Sequence, residues 1–261
     1  MVANHLCIEL STVMQFIWDH TFGKQEHQDL VVCNPRAEVD PAEEAEAISE
    51  GWLALDTPVR GKEVFYQSRS TRICINKWRP RFKEHKWKDQ DIKIKIIEAS
   101  ELVRLMGLSR IYRSYMARKK FTADYNPFQH YHDRDRFMLF YTGTADNIIA
   151  FTKQKRYLWD EDYAHTIDDF ENLPVPAGIE SVIHANLVPI SAITLDLEIK
   201  HAAQHHVTHY YLGSGYEQSS EYKASYRGFE WWNGVKWSNN KRLYRRLCRR
   251  DTKLKEFYSL G

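Results

Sequence analysis

The stretch ISAITLDLEIKHAAQHHVTHYYLG, residues 190–213, decides the fold of this chain. Its first part carries apolar residues at Ile193, Leu197 and Ile199, a spacing that predicts a helix over residues 190–206. Its second part, residues 207–212, is rich in β-branched and aromatic side chains and stops at Gly213, which is typical of a strand ending in a turn. A helix followed directly by a strand therefore lies at the centre of the predicted fold.

The residues upstream add further strands and a helix. RFMLFY (136–141) and NIIAFT (147–152) flank the glycine-containing turn TGTAD, which predicts an antiparallel hairpin. SVIHA (181–185) and EVFY (63–66) are two more strand candidates. Residues 99–120 have amphipathic helical spacing with a basic outer face, and Pro41 followed by acidic residues opens a short helix over 41–48. These elements predict an α+β fold.

The chain divides into three predicted parts. Residues 1–50 form a helical N-terminal extension, with a helical lead-in over residues 5–18. Residues 51–125 form the N-terminal part of the main fold with a basic segment, and residues 126–261 form its core with a basic, tryptophan-rich C-terminal segment. No internal repeat or low-complexity tract interrupts this order.

Composition excludes several classes of protein. With 261 residues, 43% hydrophobic and 28% charged, the chain is long enough and apolar enough to bury a core, so disorder, collagen and a disulfide scaffold are excluded. No apolar run reaches the roughly 18 residues of a membrane span, and the first ten residues lack the features of a secretory signal. We therefore expect a cytoplasmic protein with no membrane partner. The four dispersed cysteines predict reduced, mostly buried thiols and no metal site.

The net charge of +2 conceals a segregation of charge along the chain. Acidic residues gather at 38–50, whereas basic residues gather at 69–95, 104–120 and 236–255. Segregated charge of this kind indicates interaction surfaces.

Several short segments resemble one family. LDLEI (195–199) with Ala202, HYYLG (209–213), YK (222–223), SRSTR (68–72) and the tyrosine-containing residues 112–119 are similar to the C-terminal half of arginyl-tRNA and leucyl-tRNA protein transferases. That family's N-terminal cysteine cluster has no counterpart here, and residues 190–194 lack the glycine turn of its superfamily. The resemblance implies a GNAT-like mixed sheet flanked by helices, preceded by an α/β N-terminal extension, and an acyltransferase activity.

An acyltransferase of this kind needs a donor site and groups that move protons. The donor site is expected at the start of the helix and along the strand, at Ser191, Ala192, Ile193, Thr194, Tyr211 and Gly213. Glu198 or Glu217 is the candidate general base, and Tyr216 or Tyr222 the candidate acid for the leaving group. Each also has a plain structural explanation, as a helix cap, a solvated residue or a packing residue. His201 and His205 are four apart, but they lack the glutamate that accompanies such a pair in zinc proteases, so no metal is expected.

Aromatic and basic residues near the C-terminus suggest a partner. Aromatic faces beside cations can stack bases while neutralising phosphates, and the candidate substrate-binding residues are Arg69, Arg72, Trp231, Trp232, Trp237, Arg245 and Arg246. The alternative is that the tryptophans are core residues and the arginines face water. The first explanation predicts nucleic acid, DNA or tRNA, as a partner.

The leading hypothesis is a transferase that moves an acyl or aminoacyl group from acyl-CoA or aminoacyl-tRNA to an amine, either on a modified DNA base or at a protein N-terminus. Two alternatives stay open: a non-catalytic nucleic-acid-binding protein that retains the fold, and a structural or regulatory partner protein. The oligomeric state is not determined by the sequence.

Overall fold

The computed structural model describes residues 15–17, 35–55, 64–81, 92–99, 101, 106–119, 128, 135–144, 147–157, 160–171 and 190–258. The chain divides into two compact units: the first comprises residues 1–74 and 211–261, and the second comprises residues 75–210. The three-part division predicted from the sequence stays a prediction. Among the described residues, no helix combines the length and apolarity that a membrane span requires.

The regular elements are as follows. The strands are β1 (Gln15–Ile17), β2 (Arg36–Glu38), β3 (Trp52–Ala54), β4 (Val64–Gln67), β5 (Ser70–Cys74), β6 (Ile92–Glu98), β7 (Asp135–Thr142), β8 (Ile148–Tyr157), β9 (Asp160–Glu171), β10 (His209–Ser214), β11 (Phe229–Trp232) and β12 (Trp237–Ser238). The α-helices are α1 (Glu44–Ser49), α2 (Met106–Lys119), α3 (Ile190–Gln204) and α4 (Lys241–Tyr258). Shorter 3₁₀ segments are Pro41–Glu43, Ile75–Lys77 and Gln218–Ser225.

The first unit contains two sets of paired strands. One is a sheet in the order β1-β2-β4-β3, in which each neighbouring pair is antiparallel. The other has the order β12-β11-β5-β10, with β11 antiparallel to both β12 and β5. The boundary between the units falls within β10, after Tyr210, so that residues 211–214 belong to the first unit.

Local sequence explains the two helices of the first unit. The Asp40 carboxylate accepts a hydrogen bond from the Ala42 N–H at 2.9 Å, and Pro41 opens the 3₁₀ turn that leads into α1. This confirms the short helix predicted over residues 41–48. At the start of α4, the side chain of Asn240 accepts a hydrogen bond from the Leu243 N–H at 3.0 Å. Helix α4 buries one face and exposes arginines on the other, as its strongly amphipathic sequence requires.

The second unit is built on the antiparallel meander β6-β7-β8-β9. The predicted hairpin is confirmed as β7 and β8, closed by a hydrogen bond from the Thr142 N–H to the Asn147 carbonyl at 3.2 Å. Gly143 in this turn has a φ of 64°, a conformation that glycine adopts without steric cost.

Helices cover both faces of this meander. Alternate residues of β7 point to opposite faces, so Phe137 packs with Ile111 of α2 while Phe140 packs with Ile193 and Leu197 of α3. Each fully buried phenylalanine contributes roughly 2–3 kcal/mol through the hydrophobic effect. Antiparallel sheets flanked by helices confirm the predicted α+β class.

Some predicted boundaries are wrong. Gln15–Ile17 form a strand, so the helical lead-in over residues 5–18 is incorrect at these positions, and its other residues lie outside the described part of the chain. Helix α2 begins at Met106 rather than at residue 99, because the alternating apolar residues of β6 extend that strand to Glu98. Strand β10 continues past Gly213 to Ser214. The strand predicted at residues 181–185 lies outside the described residues.

Candidate active site

Glu217, which follows Gly215 and Tyr216 in the loop after β10, has an unusual backbone conformation. Glu217 has φ 57° and ψ 164°, a region that L-residues other than glycine rarely adopt because the Cβ atom clashes with the backbone. Its side chain is only 8% exposed. Strained conformations of this kind cost of order 1–3 kcal/mol and cluster at functional sites, so Glu217 marks the loop after β10 as a candidate active site.

Tyr216 is held next to Glu217 by Arg69. The backbone N–H of Arg69 donates a hydrogen bond to Oη of Tyr216 at 3.1 Å, and the Arg69 guanidinium carbon lies 4.8 Å from the centre of the tyrosine ring. Burial raises the pKa of Tyr216 above the ordinary value of a phenol, against the opposing effect of the Arg69 hydrogen bond and charge. Tyr216 therefore keeps its proton at neutral pH.

Asp251 of α4 fixes Arg69 in this position. Its carboxylate lies 2.6 Å from Nη1 of Arg69, and both side chains are nearly buried, at 5% and 11% exposure. The same guanidinium nitrogen donates to the Gly215 carbonyl at 3.3 Å. A side chain at position 215 would collide with Tyr244 and Thr71, so glycine is required there. The buried ion pair thus ties α4 to the loop that carries Tyr216.

A cluster of hydroxyl groups lies beside Tyr216. Oγ of Ser68 and Oγ of Ser214 are 2.9 Å apart, and Ser214 Oγ donates to Oη of Tyr66 at 3.5 Å. Ser70 Oγ lies 3.5 Å from Ser68 Oγ and donates to the Gly51 carbonyl at 2.6 Å. Ser68 precedes Arg69, whose backbone N–H holds the Tyr216 hydroxyl. Neighbouring hydroxyls of this kind can pass a proton between Tyr216 and solvent.

Lys223 places a buried cation at the end of β10. Its Nζ donates to the Leu212 carbonyl and to the Ser214 carbonyl, each at 2.6 Å, and the residue is only 8% exposed. These bonds hold the strand end on which the loop of Tyr216 begins. Lys223 had no predicted role of its own, although the YK pair at 222–223 was part of the family resemblance.

Arg72 and Trp237, both predicted to bind the substrate, lie together with Tyr211, which was predicted in the donor site. The Arg72 guanidinium donates to a carboxylate oxygen of Glu230 from Nε at 3.0 Å and from Nη2 at 2.8 Å, and Nη1 donates to Oη of Tyr211 at 3.4 Å. Its carbon lies 3.9 Å from the centre of the Trp237 ring, a cation–π arrangement. The donors of Arg72 are therefore largely engaged within the protein.

Glu198 lies in the second unit and has a different environment. Its two carboxylate oxygens accept hydrogen bonds from Thr152 Oγ1 at 2.8 Å and from Tyr210 Oη at 2.5 Å. Tyr210 Oη in turn accepts from Gln154 Nε2 at 2.8 Å. Glu198 is fully buried, so this network gives the carboxylate partners but no open side. Its predicted role as a base stays a prediction.

The other predicted residues are placed as follows. Ser191, Ala192, Ile193 and Thr194 form the first turn of α3 in the second unit, rather than a turn before it, and Thr194 Oγ1 donates to the Ser191 carbonyl at 3.1 Å. Gly213 lies in the first unit with a φ of 68°, and its carbonyl accepts a hydrogen bond from Thr71 Oγ1 at 2.8 Å. Tyr222, in the 3₁₀ segment, is 46% exposed. Within the first unit, the structure thus brings together Arg69, Tyr216 and Glu217.

Among the described residues, no group of three or more His, Cys, Asp or Glu side chains is arranged to hold a metal ion. The ring of His201, in α3, has its centre 4.3 Å from that of His205, which follows the last residue of the helix. Cys74 and Cys248 are free thiols.

Sequence reasoning missed Asp251, Ser68 and Ser214. A signal for Asp251 exists, because it is an isolated acid within the basic run RRLCRRDTK, residues 245–253. Ser68 belongs to the SRSTR segment of the family resemblance, but its pairing with Ser214 depends on strands that are far apart in sequence.

Comparisons with known proteins give distant structural matches. No protein-family profile matches the chain, and no curated protein matches it. Two similar solved structures are the C-terminal DUF2156 domain of a protein assigned to the lysylphosphatidylglycerol synthetases of Agrobacterium fabrum and the L-PGS of Bacillus licheniformis. The identities are 9% and 11%, each with a TM-score of 0.38, over 68% and 66% of this chain and 52% and 49% of theirs. The match thus spans about half the length of these proteins, and at such TM-scores it carries no argument about function.

The predicted nucleic-acid partner is wrong. Within the chain itself, Trp231 and Trp232 are only 3% and 7% exposed and pack in the core, so they offer no face on which a base could stack. Arg69 and Arg72 are engaged with Asp251 and Glu230 instead of being available to phosphates.

Proposed function

We propose that this chain is an enzyme, a GNAT-like transferase that moves an acyl or aminoacyl group from an activated donor to an amine. The observation that carries the proposal is the pair Tyr216–Glu217 at the end of β10, in which a protonated phenol adjoins a mostly buried carboxylate held in a strained backbone conformation. A thioester such as acyl-CoA, or an aminoacyl ester, is the class of donor that this pair suits.

The proposed step is a direct transfer. The amine nitrogen attacks the carbonyl carbon of the donor, a C–N bond forms, and the bond from that carbon to the sulfur or oxygen of the leaving group breaks. Glu217 takes the proton that the amine nitrogen loses, and Tyr216 gives its phenolic proton to the departing thiolate or alkoxide. The hydroxyls of Ser68 and Ser214 then return a proton to Tyr216 from solvent.

The surroundings of the candidate side chains favour Glu217 over Glu198 as the base and Tyr216 over Tyr222 as the acid. Both oxygens of Glu198 already accept hydrogen bonds in a fully buried network, so an incoming amine has no access to them. Tyr222 is 46% exposed, and no burial holds its side chain toward the loop. General acid–base catalysis requires groups that can reach the reacting atoms. By this criterion Glu217 is the better base and Tyr216 the better acid.

Arg69, Asp251 and Lys223 act in this proposal as positioning residues. Arg69 supports the ring and the hydroxyl of Tyr216, Asp251 holds Arg69, and Lys223 ties the two carbonyls at the end of β10. The predicted donor-binding role of the first turn of α3 and the predicted cytoplasmic location remain proposals.

The experiment is a transfer assay on the full chain. Acetyl-CoA labelled in the acetyl group, or an ester of a labelled amino acid, is incubated with a panel of primary amines, and label in the amine product is measured. We expect Glu217→Gln and Tyr216→Phe each to lower the rate by about 10²–10⁴-fold. Glu46→Gln, which changes an exposed glutamate of α1, is the matched control and should retain the wild-type rate.

The outcomes separate catalysis from mere binding. A rate that persists in Glu217→Gln and Tyr216→Phe would show that the chemistry resides elsewhere in the chain. Absence of label in every amine, with both donor classes, would overturn the proposal that the chain is an acyltransferase.

A further inference from the structure

Helix α4 borders a groove whose lining is strongly basic. The groove has a volume of about 880 Å³ and lies on the face of α4 opposite Tyr244 and Cys248. The lining residues are Asn240, Arg242, Leu243, Arg245, Arg246, Arg249, Arg250 and Lys253. Every ionisable group among them is a cation.

The acidic groups that approach this face do not neutralise it. Glu221 of the 3₁₀ segment accepts two hydrogen bonds from Arg249, at 2.7 and 3.0 Å. Asp251 lies 3.2 Å from Arg250 but is shared with Arg69 at 2.6 Å. Arg249 and Arg250 remain 61% and 60% exposed, so much of each guanidinium still faces solvent.

Spacing along the helix concentrates the charge further. Arg242, Arg246 and Arg250 recur every four residues and therefore lie above one another on one stripe, where like charges repel. At the start of the helix, burial lowers the pKa of Lys241, and the charges of Arg245 and Arg227 lower it further. A helix that keeps these cations adjacent is less stable than one with mixed charges, unless an anion binds between them.

We propose that this groove is a binding site for the phosphate groups of an organic phosphate ligand. Guanidinium groups bind phosphate through pairs of parallel N–H···O bonds, and several of them side by side on one helix face suit a ligand with more than one negative charge. Leu243 is the apolar member of the lining, so recognition rests on charge. The proposal does not depend on the transferase activity at Tyr216 and Glu217.

The test compares two double variants that each remove two arginines. Arg242→Gln/Arg246→Gln removes exposed groove residues that make no side-chain hydrogen bond or ion pair within the described part of the chain, so folding should be preserved. Arg110→Gln/Arg113→Gln makes the same change of charge on exposed positions of α2. Binding of pyrophosphate at low ionic strength is measured by calorimetry.

We expect the groove variant to bind pyrophosphate at least about tenfold more weakly than the wild type, because two charge-assisted contacts are lost. The α2 variant should bind as the wild type does. Equal weakening in both variants would mean that only net charge matters and would overturn the site.

A second arm identifies the source of the phosphate. Vesicles of phosphatidylcholine with and without phosphatidylglycerol are sedimented with each protein. Binding to phosphatidylglycerol vesicles alone assigns the groove to a lipid headgroup. Binding to pyrophosphate alone assigns it to a soluble phosphate compound. Either result supports the proposal if the groove variant no longer binds the same probe. Failure of the wild type to bind either probe overturns it.

Discussion

Two buried glutamates of this chain have opposite surroundings. Glu198 lies in a regular helix, fully buried, and each of its carboxylate oxygens accepts a hydrogen bond from a neighbouring hydroxyl. Glu217 lies in a loop, is 8% exposed, and has a backbone conformation that favours glycine. Both were candidate bases in the sequence, and burial alone does not separate them.

The difference shows how a structural carboxylate and a candidate catalytic carboxylate are distinguished. The surroundings of Glu198 stabilise the folded chain. Both of its carboxylate oxygens accept hydrogen bonds, and its own backbone is that of a regular helix. The backbone of Glu217 raises that energy, and such a conformation persists only where the rest of the structure enforces it. Substitutions in the two regions should therefore change stability in different ways.

The largest expected effect is at Glu198. Glu198→Ala removes the acceptor for Thr152 and Tyr210 and leaves a cavity, so we expect the free energy of unfolding to fall by about 4 kcal/mol. Urea denaturation followed by circular dichroism measures this change.

Glu198→Gln is the matched control for that experiment. Its amide retains one oxygen as an acceptor and fills nearly the same volume, so we expect less than half of the loss seen for alanine. Equal losses for the two variants would show that the charge, rather than the hydrogen bonds and the volume, stabilises the network.

The next effect concerns the ion pair in the region of Glu217. Asp251→Asn leaves the Arg69 guanidinium buried without its counter-charge, and we expect a loss of about 3 kcal/mol in the free energy of unfolding. Arg69→Met together with Asp251→Asn should recover part of this loss, because no uncompensated charge remains. A double variant no more stable than Asp251→Asn would contradict the assignment of Asp251 as the partner of Arg69.

Much of the fold was predictable because local sequence specifies it. The hairpin β7–β8, helix α3 and the cap of α1 each follow from a few adjacent residues, such as the glycine turn at 143 and Asp40 before Pro41. Strand β6 has an equally local signal, because isoleucine and lysine alternate in IKIKI at residues 92–96, but this stretch overlaps the basic run 69–95 and the sequence analysis predicts no strand there.

The site was predictable only in part. Tyr216 and Glu217 were predicted as acid and base because they lie just beyond a strand, but neither the φ of Glu217 nor the partner of Arg69 can be obtained from local pattern. Asp251 meets Arg69 across 182 residues of chain, which only tertiary structure brings together. The nucleic-acid partner predicted from the aromatic and basic C-terminal segment was wrong for the same reason, since Trp231 and Trp232 pack in the core while Arg242 and Arg246 of α4 face solvent.

A smaller effect is expected at alkaline pH. Burial raises the pKa of both Tyr216 and Tyr244 in the folded chain. A raised pKa contributes stability that is fully present below the unfolded value near pH 10 and is lost as pH rises through the folded pKa. The free energy of unfolding of the wild type should thus fall above about pH 10, by up to roughly 1.4 kcal/mol per pH unit for each tyrosine. Tyr216→Phe should fall less steeply; equal slopes would contradict a buried, protonated Tyr216.

The smallest expected effect tests the strain at Glu217 itself. Glu217→Ala and Glu217→Gly remove the same side-chain contacts, but alanine retains the Cβ atom in the disfavoured region and glycine does not. We expect the glycine variant to be more stable than the alanine variant by about 1 kcal/mol, after allowing for the greater flexibility of unfolded glycine. At position 198, which is helical, glycine should instead be less stable than alanine by a similar amount. The same ordering at both positions would remove the contrast between the two glutamates, and with it the main reason to place the active site at the end of β10.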